Sequence, residues 1–279
     1  MASFDWYQAT VAAPVDDVLS GLMGLSDSPS LVHAKGAHGY GHTTIVQGSD
    51  GPVGKVWHGG SHAHPHVILS GDQTQPGVEM IRATFPEHFP TRVDAREDFG
   101  DVGAFDRILP VMLAVAEAQR VKVGCAGDWA LTMDARTLYL GAPSSATRQR
   151  LYDKAAELRA KFAADPVKLA TVPKHLARLE AQVRPQTREA RERFATIEPM
   201  AVMGSSRWLR EVWRGVAGLD LEPVQVGKVW RQSDDDRAWS YLLAQYGGLL
   251  RRRAVEHGDW ACLGLQIGHD LAERDKVKR

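Results

Sequence analysis

The 279-residue sequence predicts an α+β fold, in which a largely antiparallel sheet has helices on one face and a polar face on the other, followed by a helical C-terminal part. Three observations indicate this class. Short β-like runs separated by glycine-containing turns occupy most of residues 1–187. One segment among them has helical apolar spacing, and the segments after Pro185 are mainly helical in pattern.

The predicted strands are runs rich in β-branched and aromatic residues. They are Thr43–Gln47, Gly54–His58, Val67–Ser70, Thr91–Arg96, Thr137–Gly141, Thr147–Lys154 and Ala177–Arg184. The first predicted helix is Asp106–Arg120, with Pro110 in its first turn, where a missing N–H is tolerated.

Three further helices are predicted in the last third of the chain. They are Gln186–Thr196, Ser205–Val216 with a serine cap, and Ala238–Val255, which Gly247 and Gly248 interrupt. The sequence therefore predicts an α+β domain over residues 1–187 and a helical C-terminal extension, 188–279, packed on it.

Composition favours a globular cytoplasmic protein. Hydrophobic residues make up 44% of the chain and charged residues 24%. No apolar run approaches the roughly 20 residues that cross a bilayer, and the N-terminus lacks the pattern of a secretory signal. Cys125 and Cys262 lie far apart, as expected for reduced thiols. We therefore expect a cytoplasmic protein with no membrane partner.

The net charge of zero hides an asymmetry. Residues 1–135 hold 8 basic and 16 acidic residues, whereas residues 136–279 hold 26 and 18. A basic half on a neutral chain is compatible with DNA binding, but it is equally compatible with an ordinary solvated surface.

Reading four predicted strands with a period of two places unusual polar residues on one face. That face has Arg92, Asp94, Arg96, Thr137, Tyr139, Arg148, Arg150, Tyr152, Lys154, Arg178, Glu180, Gln182 and Arg184. The opposite face has Val93, Ala95, Leu138, Leu140, Leu151, Leu179, Ala181 and Val183, which helices can cover. A solvated face with cross-strand ion pairs explains the charges, but explains less well the tyrosines and acids among the arginines.

Such a face has the ingredients of phosphoryl transfer. A phenol with a pKa near 10 is a weak nucleophile that nearby cations or a metal would activate. Two carboxylates would hold Mg²⁺ or Mn²⁺, which polarises a phosphate, and arginines would clamp neighbouring phosphates.

The segment Thr137–Glu157 (TLYLGAPSSATRQRLYDKAAE) resembles the signature of rolling-circle replication initiation factors of plasmids and filamentous phages, the Rep_trans family. Thr91–Phe99 resembles the Arg-x-Asp strand of that family and Ala177–Arg184 its Arg-x-Glu strand. Leu242–Leu250 resembles a Gln-Tyr-Gly segment of phage members. These segments occur in the family's order and span most of the chain.

The resemblance implies a nicking domain that cuts one strand of single-stranded or hairpin origin DNA and stays joined to its 5′ phosphate through a tyrosine. Tyr152 is then the nucleophile, and Asp94 and Glu180 are ligands for Mg²⁺ or Mn²⁺. Arg150 and Lys154 contact the scissile phosphate. The remaining DNA-binding residues are Arg92, Arg148, Arg178, Arg184 and Tyr139. Tyr139 is also the alternative nucleophile, and Asp98 or Glu97 would supply a further metal ligand, although a plain surface role suits Glu97 better.

Other interpretations remain open. A regulator on the same fold would bind DNA without cleaving it, and a histidine-centred metalloenzyme would use His62, His64 and His66. Gly59, Gly60 and Pro65 instead favour an exposed hairpin tip there.

Two features of the C-terminal part are also open. Trp208 and Trp213 are interpreted as core residues in preference to base-stacking ones. The run Arg251–Arg253 would either follow a DNA backbone or end a solvated helix. A host helicase is a candidate partner, and the origin, the replicon, the choice of metal and the oligomeric state are left undetermined.

Overall fold

The computed structural model describes residues 2–49, 51–227 and 234–277. The chain divides into two compact units, Met1–Lys228 and Val229–Arg279. Within the described residues, ten strands of the first unit form one sheet in which all neighbours are antiparallel. The predicted α+β class, with a helical C-terminal part, is confirmed.

The strands are β1 Ser3–Val11, β2 Ser30–Lys35, β3 His42–Gly48, β4 Gly51–His58, β5 His66–Ser70, β6 His88–Phe99, β7 Val123–Ala126, β8 Thr137–Leu140, β9 Thr147–Asp153 and β10 Ala177–Val183. Their order across the sheet is β2-β3-β4-β5-β1-β6-β10-β9-β8-β7. Strands β1, β6, β10 and β9 therefore lie side by side at its centre, although they are far apart in sequence.

The helices of the first unit are α1 Val15–Met23, α2 Thr74–Thr84, α3 Ala104–Ala118, α4 Lys154–Lys161, α5 Pro166–Ala170, α6 Arg188–Ala195, α7 Pro199–Val202 and α8 Arg207–Ala217. A short 3₁₀ turn, Gly71–Gln73, precedes α2. The second unit has α9 Asp234–Glu256 and α10 Trp260–Val277.

Every predicted strand is present, but three were predicted one residue too long. Gly141, Lys154 and Arg184 lie just beyond the ends of β8, β9 and β10. Strands β1, β2 and β7 were missed. In β1 the pairing with β6 shifts register between Phe4 and Trp6, so the period-two alternation that reveals a strand is broken there. β2 and β7 are edge strands whose residues are all exposed and therefore show no apolar face.

The apolar residues of the central strands form one core with the helices. Val93, Leu151 and Leu179 are fully buried. They belong to the same cluster as Ile108 and Met112 of α3, together with residues of α1, α2, α6, α7 and α8. The alternation in the sequence therefore identified correctly which strand residues enter the core.

Two helix predictions need correction. Helix α3 begins at Ala104, two residues earlier than expected, so Pro110 lies inside the helix and not in its first turn. Helix α9 runs through Gly247 and Gly248 without interruption. The serine cap of α8 is confirmed, since the Ser206 side chain accepts a hydrogen bond from the backbone N–H of Leu209.

The tryptophans of α8 belong to the core, as predicted. Trp213 is 1% exposed, and Trp208 is half-buried against the same cluster. The compact first unit extends past residue 187 and includes α6, α7 and α8. The assignment of residues 1–187 to a nicking domain and 188–279 to a packed extension stays a prediction.

The second unit contains many exposed apolar side chains. Trp239, Tyr241, Val255, Trp260 and Leu265 are each at least 60% exposed. Arg251, Arg252 and Arg253 are also exposed, and Arg253 pairs with Glu256 at 3.1 Å, so both interpretations of this basic run remain open. None of the helices in the described residues has the length and apolar character needed to span a bilayer.

Candidate active site

The strand pairing brings the predicted site residues of β6, β9 and β10 together. Arg150 lies opposite Glu180, and Tyr152 lies opposite Arg178. Asp94 lies opposite Gln182, two positions along β10 from Glu180. Asp94 and Glu180 are therefore diagonal neighbours on adjacent strands. The catalytic character of this face stays a prediction.

Asp94 is completely buried and paired with an arginine. It accepts hydrogen bonds from Arg92 Nε at 2.9 and 3.1 Å, and a further bond from Arg92 Nη2. The Arg92 guanidinium lies 4.7 Å from the ring centre of Trp6. Burial raises the pKa of Asp94, and Arg92 lowers it in part. The Arg92–Asp94 ion pair thus lies in a buried site, where an unpaired, ionised carboxylate would lower the stability of the fold.

Glu180 forms the second buried acid of the site. It is 2% exposed and accepts a 2.6 Å hydrogen bond from Arg150 Nη2. Burial raises the pKa of Glu180 to about 8, Arg150 lowers it, and the charges of Asp94 and Asp5 raise it further. Two acids thus sit close enough to repel each other, which is an arrangement that a cation would stabilise.

Asp5 of β1 is a third acid near this pair, and the sequence analysis missed it. Its carboxylate accepts a 2.8 Å hydrogen bond from Arg178 and lies 3.3 Å from Arg96. Arg150 is 4.0 Å away. Asp5 falls at the register shift of β1, so its place on this side of the sheet could not be read from alternation.

Arg178 is buried in a network of acids. It is 3% exposed and binds both oxygens of Asp98, at 2.6 and 2.8 Å, as well as Asp5. Its guanidinium is therefore occupied by the protein itself. Its predicted DNA contact, and the predicted metal contact of Asp98, remain untested, and the described contacts favour a structural role for both.

Tyr152 is 5% exposed and lies beneath two cations. The Arg150 guanidinium is 4.6 Å from the centre of its ring, and Lys154 Nζ is 5.8 Å away. The sequence predicted that such cations would favour the phenolate. Burial instead raises the pKa of Tyr152 above its ordinary value; the charge of Glu180 raises it further, and Arg150 only partly opposes this. The phenol is therefore neutral in this conformation.

The alternation predicted that Lys154 lies on the same strand as Tyr152. This prediction is wrong, because β9 ends at Asp153. The Asp153 side chain accepts a hydrogen bond from the backbone N–H of Ala156 and caps α4, which begins at Lys154. Lys154 pairs with Glu157 at 2.7 Å. Asp153 thus has a structural role as the N-terminal cap of α4.

The other predicted DNA-binding residues surround a cavity of about 250 Å³. Arg92, Tyr139, Arg148, Arg150, Glu180 and Arg184 border it. The guanidinium of Arg148 lies 4.0 Å from the centre of the Tyr139 ring. Tyr139 is half-buried and therefore more accessible than Tyr152. A larger groove of about 840 Å³ runs along α1 and the end of α2, and none of the predicted site residues borders it.

Of the three histidines predicted to lie at an exposed hairpin tip, two lie there and the third does not. His62 and His64 are exposed between β4 and β5, whereas His66 begins β5, is buried, and stacks on Trp57. Burial lowers the pKa of His66 to about 4. Across the described ranges, no group of three or more His, Cys, Asp or Glu residues is arranged to hold a metal ion. The candidate metal site therefore has two protein carboxylates, Asp94 and Glu180.

The fold and the site define an α+β protein whose central antiparallel strands present buried acids, arginines and a tyrosine. The fold is similar to a solved structure of the rolling circle replication initiator protein from Geobacillus stearothermophilus, with a TM-score of 0.51 and 17% identity. The match covers 88% of this chain and 95% of that chain. It confirms, at the level of the fold, the resemblance inferred from the sequence. No protein-family model and no curated protein sequence matches the chain.

Proposed function

We propose that this protein is a replication initiator that nicks single-stranded or hairpin DNA at an origin and so starts rolling-circle replication. The observation that carries the proposal is the juxtaposition of buried Asp94 and Glu180 beside Tyr152 in the centre of the sheet. The similarity of the fold to a rolling circle replication initiator supports it.

Tyr152 is the proposed nucleophile. Its phenol oxygen forms a bond to the scissile phosphorus while the bond from phosphorus to the 3′ oxygen breaks. The electron pair leaves with that oxygen, which takes up a proton in exchange for the one lost by the phenol. The products are a 5′-phosphotyrosine link and a free 3′ hydroxyl, which would prime synthesis.

Asp94 and Glu180 are the proposed ligands for Mg²⁺ or Mn²⁺. Their donor set fits, because Mg²⁺ in proteins commonly takes one or two carboxylates and completes its shell with water and substrate phosphate oxygens. Burial raises the pKa of Glu180, the nearby charge of Asp94 raises it further, and a bound cation would relieve that repulsion. The metal would polarise the scissile phosphate and stabilise the leaving oxygen.

The arginines and Lys154 have positioning roles in this proposal. Arg92 and Arg150, which now donate hydrogen bonds to the two acids, would turn toward phosphate oxygens when a cation takes their place. Lys154, close to the Tyr152 ring, would contact the scissile phosphate. A host helicase would act after the nick, and the oligomeric state is left open.

A second candidate function is a DNA-binding regulator that does not nick. The specific observation in its favour is the burial of Tyr152, whose raised pKa disfavours the phenolate. Nicking therefore requires that DNA or metal binding expose and activate this side chain, whereas regulation requires no such change.

Covalent trapping tests the proposal. The full-length protein is incubated with Mn²⁺ and a randomised pool of single-stranded oligonucleotides, and adducts that survive denaturant are counted and sequenced. We expect adducts with the wild-type protein and with Tyr139→Phe, but only background with Tyr152→Phe. Adducts that persist in Tyr152→Phe and vanish in Tyr139→Phe would transfer the nucleophile to Tyr139.

The acids are tested in the same assay. Asp94→Asn and Glu180→Gln should abolish the adduct while retaining binding to the trapped sequence, because the metal contacts are lost while an amide oxygen can still accept from Arg92 or Arg150. Unchanged cleavage would remove these two residues from the metal site. Salt-sensitive binding to origin DNA without any adduct, from the wild-type protein and over many sequences, would favour the regulator.

A further inference from the structure

The cavity of about 250 Å³ beside the candidate active site contains more positive charge than the protein neutralises. Arg92 is paired with Asp94, and Arg150 is paired with Glu180. Arg148 and Arg184 also border the cavity, and among the described residues neither has a carboxylate within 4.0 Å. Two cations thus remain without a counter-charge in a concave site.

Both guanidinium groups are held in place without being neutralised. Arg184 Nη1 donates to the carbonyl oxygens of Pro143 and Ser145, each at 3.1 Å. Arg148 is stacked on Tyr139. Carbonyl oxygens and an aromatic face orient a guanidinium but do not cancel its charge, so the site is preorganised for an anion.

Buried donors in the same cavity also lack acceptors. Arg148 Nε and Arg150 Nε are buried and have no hydrogen-bond partner among the described residues. A buried donor without an acceptor costs free energy that an acceptor from a ligand would recover. Gln149 also borders the cavity. Because successive side chains of a strand point to opposite faces, the Gln149 side chain lies on the same face of β9 as Leu151, opposite the face of Arg148 and Arg150.

We propose that this cavity binds a backbone phosphate of the DNA strand that flanks the phosphate cleaved by Tyr152, with Arg148 and Arg184 donating to its two non-bridging oxygens. This inference rests on the proposed function. A phosphodiester has one negative charge and two acceptor oxygens, which matches a pair of guanidinium forks. The cavity is smaller than the roughly 300 Å³ at which pockets for drug-sized ligands begin, so a phosphate with part of its sugar fits better than a nucleotide cofactor.

The position of Arg148 explains why the bound phosphate is a flanking one. Arg148 and Tyr152 are four residues apart on the same strand, and at about 3.3 Å per residue their Cα atoms are about 13 Å apart. Arg150, which also borders the cavity, is two residues nearer to Tyr152, so we assign the scissile phosphate to Arg150 and the neighbouring phosphate to Arg148. Arg148 and Arg184 are positioning residues that fix the register of the strand, so that the correct phosphate arrives at the nucleophile.

The salt dependence of binding tests this inference separately from cleavage. Binding of the full-length protein to single-stranded oligothymidylate is measured in EDTA over a range of salt concentrations. For single strands the slope of log affinity against log salt is about −0.7 for each phosphate that the protein neutralises. Because both arginines contact one phosphate, the double variant Arg148→Gln/Arg184→Gln should lower the magnitude of the slope by about 0.7, and each single variant should lower it by less, since the remaining arginine still neutralises that phosphate.

The controls separate a lost contact from a lost fold or a lost charge. Arg107→Gln removes an exposed arginine from α3 on the helical side of the sheet and should leave the slope unchanged. Equal urea midpoints would show that Arg148→Gln and Arg184→Gln fold normally. Arg148→Lys should keep most of the slope, because it keeps the charge.

Each outcome decides between the two proposals. An unchanged slope in the double variant Arg148→Gln/Arg184→Gln overturns the phosphate site, even if the covalent adduct forms. Lower slopes without an adduct support the phosphate site and count against nicking. Absence of any salt-dependent binding by the wild-type protein overturns both. On a trapped sequence, a neutral methylphosphonate at one position beside the nick should weaken wild-type binding but not binding by the double variant.

Discussion

Replacing Glu180 by glutamine should change how the stability of the protein depends on pH. In the folded protein burial raises the pKa of Glu180 to about 8, whereas the unfolded chain has the ordinary value of 4.5. Between these values the folded form holds a proton that the unfolded form has released. Stability is therefore greatest at low pH and is lost as the pH rises through about 8.

The magnitude follows from the proton occupancy of the folded form. With a folded pKa of about 8, proton binding contributes about 1 kcal/mol to the free energy of unfolding at about pH 7 and almost nothing at about pH 9. Glu180→Gln keeps the acceptor for Arg150 but removes the titration. Between about pH 7 and pH 9 the free energy of unfolding of the variant should therefore fall by about 1 kcal/mol less than that of the wild type.

Urea denaturation at several pH values measures this difference. The other titrating groups are the same in both proteins, so the comparison of variant with wild type reports on Glu180 and on Asp94, whose charge acts on it. Glu117→Gln, which removes an exposed glutamate of α3, is the matched control and should follow the wild type. Parallel curves for the wild type and Glu180→Gln would refute the reasoning, because Glu180 would then be ionised in the folded protein near neutral pH.

Three further predictions concern residues that the structure places in defined contacts. Arg178→Met should lower the free energy of unfolding by about 3 kcal/mol in urea, because it removes the buried cation that bonds Asp5 and Asp98 and leaves them the longer contacts with Arg96. An unchanged midpoint with weaker DNA binding would instead make Arg178 a phosphate contact. Asp153→Ala should lower the free energy of unfolding by about 1 kcal/mol in a thermal melt, because it removes the cap of α4, whereas Asp153→Asn should cost little. Loss of the covalent adduct in a stable Asp153→Asn variant would point to a chemical role for Asp153. Gly60→Ala should destabilise the protein by about 1–3 kcal/mol more than Gly71→Ala. Both glycines have positive φ, but only at Gly60 would a Cβ lie 2.4 Å from a backbone oxygen, that of Gly39. Equal thermal midpoints of the two variants would show that the loop accommodates the Cβ without loss of stability.

The faces of the central strands could be read from the sequence. In β6, β9 and β10 the side chains alternate without interruption, so Val93, Leu151 and Leu179 were correctly placed in the core. The same alternation failed at Lys154, where the chain leaves the strand for a helix capped by Asp153. A strand end is set by which backbone groups find partners, and the residue pattern records this only weakly.

Asp5 shows what the sequence could not provide. It meets Arg178, which lies 173 residues away, because β1 is inserted between β5 and β6 in the sheet. Its position at a register shift removes the periodic signal that identified its neighbours. Strand order is decided by long-range pairing, and no local pattern in the first eleven residues encodes it.

The sequence by itself determined the α+β class, the strands that form the candidate site, and the tyrosine, acids and arginines that they contribute. Only the tertiary structure decided how these groups are charged. The sequence placed cations around Tyr152 and predicted an activated phenol, yet burial outweighs them and raises its pKa. The physical reason is that the cost of desolvating a charge depends on everything that covers it, and that cover comes from distant parts of the chain.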